Sequence, residues 1–149
     1  MELTQAKHLA LELMEKHNLS DWRFEFDTAK RRFGVCRHRL KVIGLSKELI
    51  LLNSVEQVKN TILHEIAHAL TPRHKHDDVW RAKAIEIGSD GNRCYSSQEV
   101  ETIKGNYQAV CPICGHIHYK FRQIRVKYSC SVCAKGFSYD RILIFNKVK

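Results

Sequence analysis

Proline and glycine are scarce in this chain of 149 residues, at two and seven respectively. That excludes a collagen-like repeat or a Pro/Gly-rich disordered tract. Long apolar runs are missing too: none exceeds Leu49 to Leu52, far short of the ~20 residues that cross a bilayer. The opening Leu3 to Leu19 interleaves Leu9, Leu13 and Met14 with Glu12, Glu15 and Lys16, so it reads as an amphipathic helix and not as a secretory signal. Internal repeats and low-complexity segments are absent. Acids are in short supply, with 16 Asp and Glu against 25 Lys and Arg and a formal net charge of +9. A chain of this kind is expected to be soluble and cytoplasmic (nuclear in a eukaryote), to act as a monomer without a membrane partner, and to favour an anionic one.

Against that background, His64-Glu65-Ile66-Ala67-His68 stands out. On a helix four residues turn through roughly 400°, which leaves His64 and His68 about 40° apart on one face. Their imidazoles can converge on one tetrahedral metal, and Glu65 can reach a water beside it. The chemistry is that of a zinc peptidase, with a metal-activated water and Glu65 as general base. The bland reading is a pair of surface histidines in a chain that holds nine. Local signals place the motif on a helix: Ser54 and Gln57 have capping-box spacing, and Val55, Val58, Ile62, Ile66 and Ala69 form an apolar stripe on the side away from the histidines. Pro72 ends the helix.

A catalytic zinc takes three protein ligands and keeps one position open. Three residues compete for the third place. His74 has metzincin spacing, but Thr71 stands where that pattern needs a glycine for its turn. His76 precedes Asp77 and Asp78, either of which can cap a helix over Val79 to Ile87 that Gly88 closes. Glu86 would suit a gluzincin-like site. The spacing favours His76 without eliminating the other two.

Cys111-Pro112-Ile113-Cys114 and Cys130-Ser131-Val132-Cys133 carry a second signal, two C-x₂-C pairs separated by fifteen residues. Four thiolates so arranged make a closed structural zinc site, a zinc ribbon; two disulfides are the alternative, disfavoured in a reducing compartment. Cys36 and Cys94 lack motif partners and read as small apolar residues. Between the two pairs, His118 to Arg122 and Ile124 to Tyr128 alternate with period two and predict a hairpin. One face would hold Tyr119, Phe121, Ile124, Val126 and Tyr128 as core. The other would hold Lys120, Arg122, Arg125 and Lys127, a candidate nucleic-acid-binding face or a merely solvated one. From Gly105 onward eight Lys and Arg face a single acid, Asp140. With one Zn²⁺ on four thiolates, about +5 remains there. The composition therefore divides the chain into residues 1–104 and 105–149.

Upstream of the metal helix, Trp22 to Phe26, Arg32 to Cys36 and Lys41 to Leu45 read as strands of an antiparallel sheet. The last is the candidate edge strand for an extended substrate. Tyr95 and Tyr107 are unplaced candidates for polarising a carbonyl. The fold class expected is α+β.

Leu63-His64-Glu65-Ile66-Ala67-His68-Ala69, followed by His76 and an aromatic four residues later, Trp80, resembles the SprT-like metalloprotease family, which includes the Spartan DNA–protein crosslink proteases. Many members also end in a Cys₄ ribbon. One departure is Lys75-His76-Asp77 where members often carry Gly-His-Gly. The resemblance implies a zincin-like domain over residues 1–104 and a ribbon over 105–149. It implies one catalytic zinc on His64, His68 and His76, one structural zinc on the four cysteines, Glu65 as base, and protein substrates on or crosslinked to DNA. Two other readings stand beside it: a nucleic-acid-binding zinc protein whose H-E-x-x-H site is structural or inactive, and a small peptidase whose ribbon only stabilises.

Overall fold

The structure, a computed structural model, describes residues 1–93 and 100–148. Its contacts divide the chain into two units, Met1–Ile103 and Lys104–Lys149. The first contains helix α1 (Leu3–Lys16), strands β1 (Arg23–Asp27), β2 (Gly34–Arg37) and β3 (Val42–Ser46), and helices α2 (Lys47–Leu52), α3 (Val55–Leu70) and α4 (Asp78–Glu86). The second contains strands β4 (Tyr107–Val110), β5 (Ile117–Lys120) and β6 (Asn146–Lys147). The class is mixed α+β with two small sheets.

The helix boundaries follow local chemistry. Ser54 accepts from the Gln57 amide while the Gln57 side chain accepts from the Ser54 amide, which completes the capping box that starts α3. Asp77 caps α4 by accepting from the Trp80 amide at 3.0 Å. Gly88, at φ 95°, closes α4: its amide reaches the Ile85 carbonyl and the next amide, Ser89, reaches Ala84, a Schellman arrangement. The helix spans Asp78–Glu86, one residue earlier at each end than the spacing predicts.

The first sheet corrects the sequence reading twice. Its order is β1-β3-β2, so the strand expected at the edge, Lys41 to Leu45, corresponds to the central strand β3. Moreover, β1 pairs with β3 in parallel, and only β2 runs antiparallel to it. The reason lies in side-chain burial: all five residues of β3 are buried, as a strand with neighbours on both sides requires, whereas β1 and β2 are only partly covered. Lys41, in the left-handed conformation at φ 50°, turns the chain out of a short 3₁₀ turn into β3. Among the described residues β1 and β2 each pair with β3 alone and so each have a free edge, and of the two it is β2 that lies against α3.

The core of this unit joins Ala6, Ala10, Leu13 and Met14 of α1 to Val58, Ile62 and Ile66 of α3 and to Ile43 and Leu45 of β3. Each fully buried aliphatic side chain contributes roughly 1.5–3 kcal/mol. Val55, placed on the apolar stripe by its spacing, is instead 52% exposed, and Leu63 and Ala67 are buried in addition. Asn53 holds the segment near residue 101 against this core, donating to the Leu49 and Glu101 carbonyls and accepting from the Glu101 amide at 2.7 Å. Among the described residues, no helix is long and apolar enough to cross a membrane.

In the second unit the expected hairpin between His118–Arg122 and Ile124–Tyr128 does not form. β5 pairs instead with β4, upstream of the first cysteine pair, and β6 pairs with the other side of β4. Residues 121 to 127 form no strand, Val126 is 65% exposed, and Tyr128 is exposed as well. The buried hydrophobic residues here are Ala109, Cys111, Cys130 and Leu143. So small a core leaves the four cysteines at the centre of the unit.

Candidate metal centres

Helix α3 carries His64, Glu65 and His68 on adjacent turns, and the capped start of α4 presents His76 to them. The Nε2 atom of His76 lies 3.1 Å from Nε2 of His64 and 3.1 Å from Nε2 of His68. A tetrahedral zinc with bonds of 2.0–2.1 Å separates its nitrogen ligands by about 3.3 Å, so the three nitrogens fit one ion. Outer contacts turn the rings the right way. His64 donates to the backbone of Asn92 and His68 to the backbone of His74, which directs each Nε2 inward. Burial, and then the neighbouring histidines, pushes His64 and His68 down to about 4, so both rings are neutral and able to ligate near pH 7.

Trp80 lies behind all three rings, with centroid separations of 4.7, 5.0 and 4.6 Å to His64, His68 and His76. It is 1% exposed and packs with Ala67 and Ala84. This indole sets the separation between α3 and α4, and therefore between the pair His64/His68 and His76.

The competing ligands fall elsewhere. His74 turns to Asp77, with Nδ1 2.9 Å from Oδ2, so the residue that caps α4 also occupies His74. The Trp80 amide and then His74 hold the Asp77 carboxyl below its usual range. The sharp turn of the loop comes at Arg73, φ 74°, and not at Thr71. Glu86 pairs with Lys83 on the exposed side of α4.

Glu65 is 7% exposed, and its side chain lies against the backbone of Gly34 in β2. Burial pushes its carboxyl up to about 8 in the metal-free chain, and the charge of Arg32 opposes this only in part. Cys36, on the same strand, has its thiol pushed up to about 12 by burial and then by Glu65, which fits an inert half-buried thiol. Glu65, the three histidines and the β2 backbone line one cleft of about 780 Å³. Tyr95 and Cys94 lie outside the described residues, and Tyr107 belongs to β4 in the second unit.

In the second unit the four sulfur atoms lie within 4.8 Å of one another. Cys111 and Cys133 are separated by 3.8 Å, as are Cys114 and Cys130. That matches the ligand spacing of about 3.8 Å expected for zinc with 2.3 Å bonds to sulfur. The amides of Cys114 and then Ile113 hold the Cys111 thiol well below its usual range, as a thiolate ligand needs. His118 Nε2 lies 3.2 Å from Cys130 Sγ, an outer contact with no motif to announce it. Both residue sets could hold a metal ion, and both suit zinc.

The four basic residues expected on one hairpin face are distributed differently. Lys120 ends β5, while Arg122, Arg125 and Lys127 lie in the irregular stretch after it. Lys120 stands over the Tyr128 ring at 4.6 Å and Lys127 over Tyr139 at 5.6 Å. Phe137 meets Tyr139 edge to face, and both are exposed.

Comparison of the sequence with curated proteins finds no match. A family model does match, over residues 4–102, and it contains the three histidines, Glu65 and Trp80. With two thirds of the chain covered, this protein belongs to the SprT-like family and carries its metalloprotease-like domain.

Proposed function

We propose that this chain is a zinc-dependent endopeptidase, with a zincin-like catalytic unit on the H-E-x-x-H helix, acting on proteins associated with or crosslinked to DNA. The observation that carries the reading is the meeting of three neutral imidazoles and one buried carboxyl group in an open cleft. Three protein ligands leave a position free, which distinguishes a catalytic set from a closed structural one. His64, His68 and His76 would hold a zinc ion, which would supply a Lewis acid for a water and a peptide carbonyl. Glu65, its side chain against the Gly34 backbone, would accept a proton from the attacking water as its oxygen bonds to the peptide carbonyl carbon, and would return that proton to the amine as the C–N bond breaks. The substrate backbone pairs with the free edge of β2, in the role the sequence reading gave to the next strand.

The second unit is the proposed DNA-binding element. Its support is the grouping of Lys120 and Lys127 with the exposed rings of Tyr128, Tyr139 and Phe137, a pairing of cations and stacking surfaces suited to nucleic acid. A structural zinc on the four cysteines holds this small unit folded. The protein works as a cytoplasmic monomer on this reading.

The test is one assay: wild type and Glu65→Gln, each loaded with zinc, incubated with a DNA-binding protein with and without DNA. Wild type should cut, faster with DNA present, while Glu65→Gln keeps both zinc ions and does not cut. A Gln variant of near-normal turnover would remove Glu65 as base, whereas a zinc-loaded wild type that does not cut would leave the nucleic-acid-binding alternative standing.

A further inference from the structure

Five permanent cations line the histidine cleft: Arg31, Arg32, Arg73, Lys75 and Arg93. They come from three separate stretches of chain, before β2, between α3 and α4, and after α4. Arg32 is engaged by Asp27 at 2.7 Å. The other four form no ion pair among the described residues. Among the described residues, the acid lining the cleft apart from Glu65 is Asp90, which accepts from Asn60 at 2.9 Å. The cleft is thus cationic on several sides, in a unit where charges nearly cancel: sixteen bases and fifteen acids up to residue 103. The imbalance belongs to the site and not to the composition of the unit.

We infer that the cleft selects protein segments bearing acidic side chains beside the scissile bond, with Arg31, Arg73, Lys75 and Arg93 as the specificity-determining residues. The inference rests on the peptidase reading above and names its substrate class. Arg31 and Arg32 lie three and two residues before the start of β2, so a segment paired along that strand carries its side chains past them. The free backbone groups of β2 favour a peptide over a phosphodiester strand, which has no matching ladder of donors and acceptors to offer. Each exposed charge pair changes affinity by a small factor, about fivefold at most, but several cations around one cleft act on the same side chain. A lysine-rich segment meets the same cations as repulsion, and such like-charge exclusion sharpens selection. On a DNA-associated protein, cleavage then falls in acidic linkers and tails and spares the basic segments that hold the nucleic acid.

The experiment uses the zinc-loaded full chain and two quenched fluorescent peptides with one apolar centre, flanked on both sides by Glu or by Lys. At low salt the Glu peptide should show kcat/KM at least about tenfold higher, and the ratio should shrink toward unity at 1 M salt, where the screening length is about 3 Å. Arg31→Glu combined with Arg93→Glu should reverse the ratio at unchanged zinc content. Equal cleavage of both peptides, or preference for Lys, overturns the inference and leaves the peptidase reading intact. Failure to cut either peptide at full zinc loading overturns the peptidase reading and the inference with it. Competitive inhibition by an oligothymidylate with no discrimination between the peptides also overturns the inference, by assigning the cations to phosphate.

Discussion

Adding a single methyl group at Gly34 tests how Glu65 is held. A Cβ built there would stand 2.6 Å from Glu65 Oε1 and 2.7 Å from its Cγ, whereas ordinary contact begins near 3.4 Å. The carboxylate must therefore retreat by about 0.8 Å, and since Glu65 is 7% exposed it has little room to do so by small rotations. Misplacing a catalytic group by roughly 1 Å costs on the order of a hundredfold. Gly34→Ala should thus lower kcat about thirtyfold to a hundredfold, or roughly 2–3 kcal/mol in the barrier. Stability moves less. Gly34 has no positive φ, so alanine can adopt its strand conformation, and the stiffer unfolded chain contributes about 0.4–1 kcal/mol in favour of folding, which offsets part of an overpacking cost of about 1–3 kcal/mol at the displaced Glu65. The expected signature is a sharp fall in kcat with zinc content retained and a melting temperature close to that of wild type. The assay is peptide hydrolysis beside elemental analysis and thermal melting. Turnover within twofold of wild type would refute the reasoning, because Glu65 could then move without consequence.

Two further outcomes follow from the same geometry. His76→Ala should lose the zinc of the histidine site and all activity, while His74→Ala should keep most of both; elemental analysis and mild chelation should also show the three-ligand metal leaving before the four-cysteine one. In the chelated protein, Glu65 at about 8 against an ordinary 4.5 stabilises the fold at low pH and loses that contribution as pH rises through 8. His64 and His68, at about 4 against 6.5, contribute stability above pH 6.5 that disappears as pH falls through 4. Between pH 6.5 and 8 the Glu65 effect stands alone among the described groups of the first unit, and 1.5 pH units correspond to a loss of about 2 kcal/mol there. Denaturant unfolding of metal-free wild type and Glu65→Gln should show that loss in the former only; equal slopes would show that Glu65 titrates normally.

The helices were legible because their ends are written locally. Ser54 with Gln57, Asp77 with the Trp80 amide, and Gly88 each act within a few residues, and all are visible in the string of letters. The two C-x₂-C pairs were legible for the same reason. Strand order was not. β3 and β2 both read as short apolar stretches, and what places β3 in the middle is pairing with β1, nineteen residues upstream in register. The ribbon misled in a similar way: alternation at His118 to Tyr128 is real as far as Lys120, but the partner of that strand is Tyr107–Val110, on the other side of a cysteine pair. The outer contacts of the candidate site were beyond reach, since the groups that turn His64 and His68 inward are backbone groups of Asn92 and His74, which no residue type announces.

Trp80 gives this centre an optical property. Its indole touches all three candidate ligands, so a shift of any imidazole changes the surroundings of a strongly emitting ring. The chain's other tryptophan, Trp22, sits before β1 and meets His38 edge-on at 5.6 Å. Replacing Trp22 with Phe leaves a single emitter wedged behind the candidate metal site. Intrinsic fluorescence of that variant then becomes a continuous gauge of metal occupancy, readable during turnover and without a label.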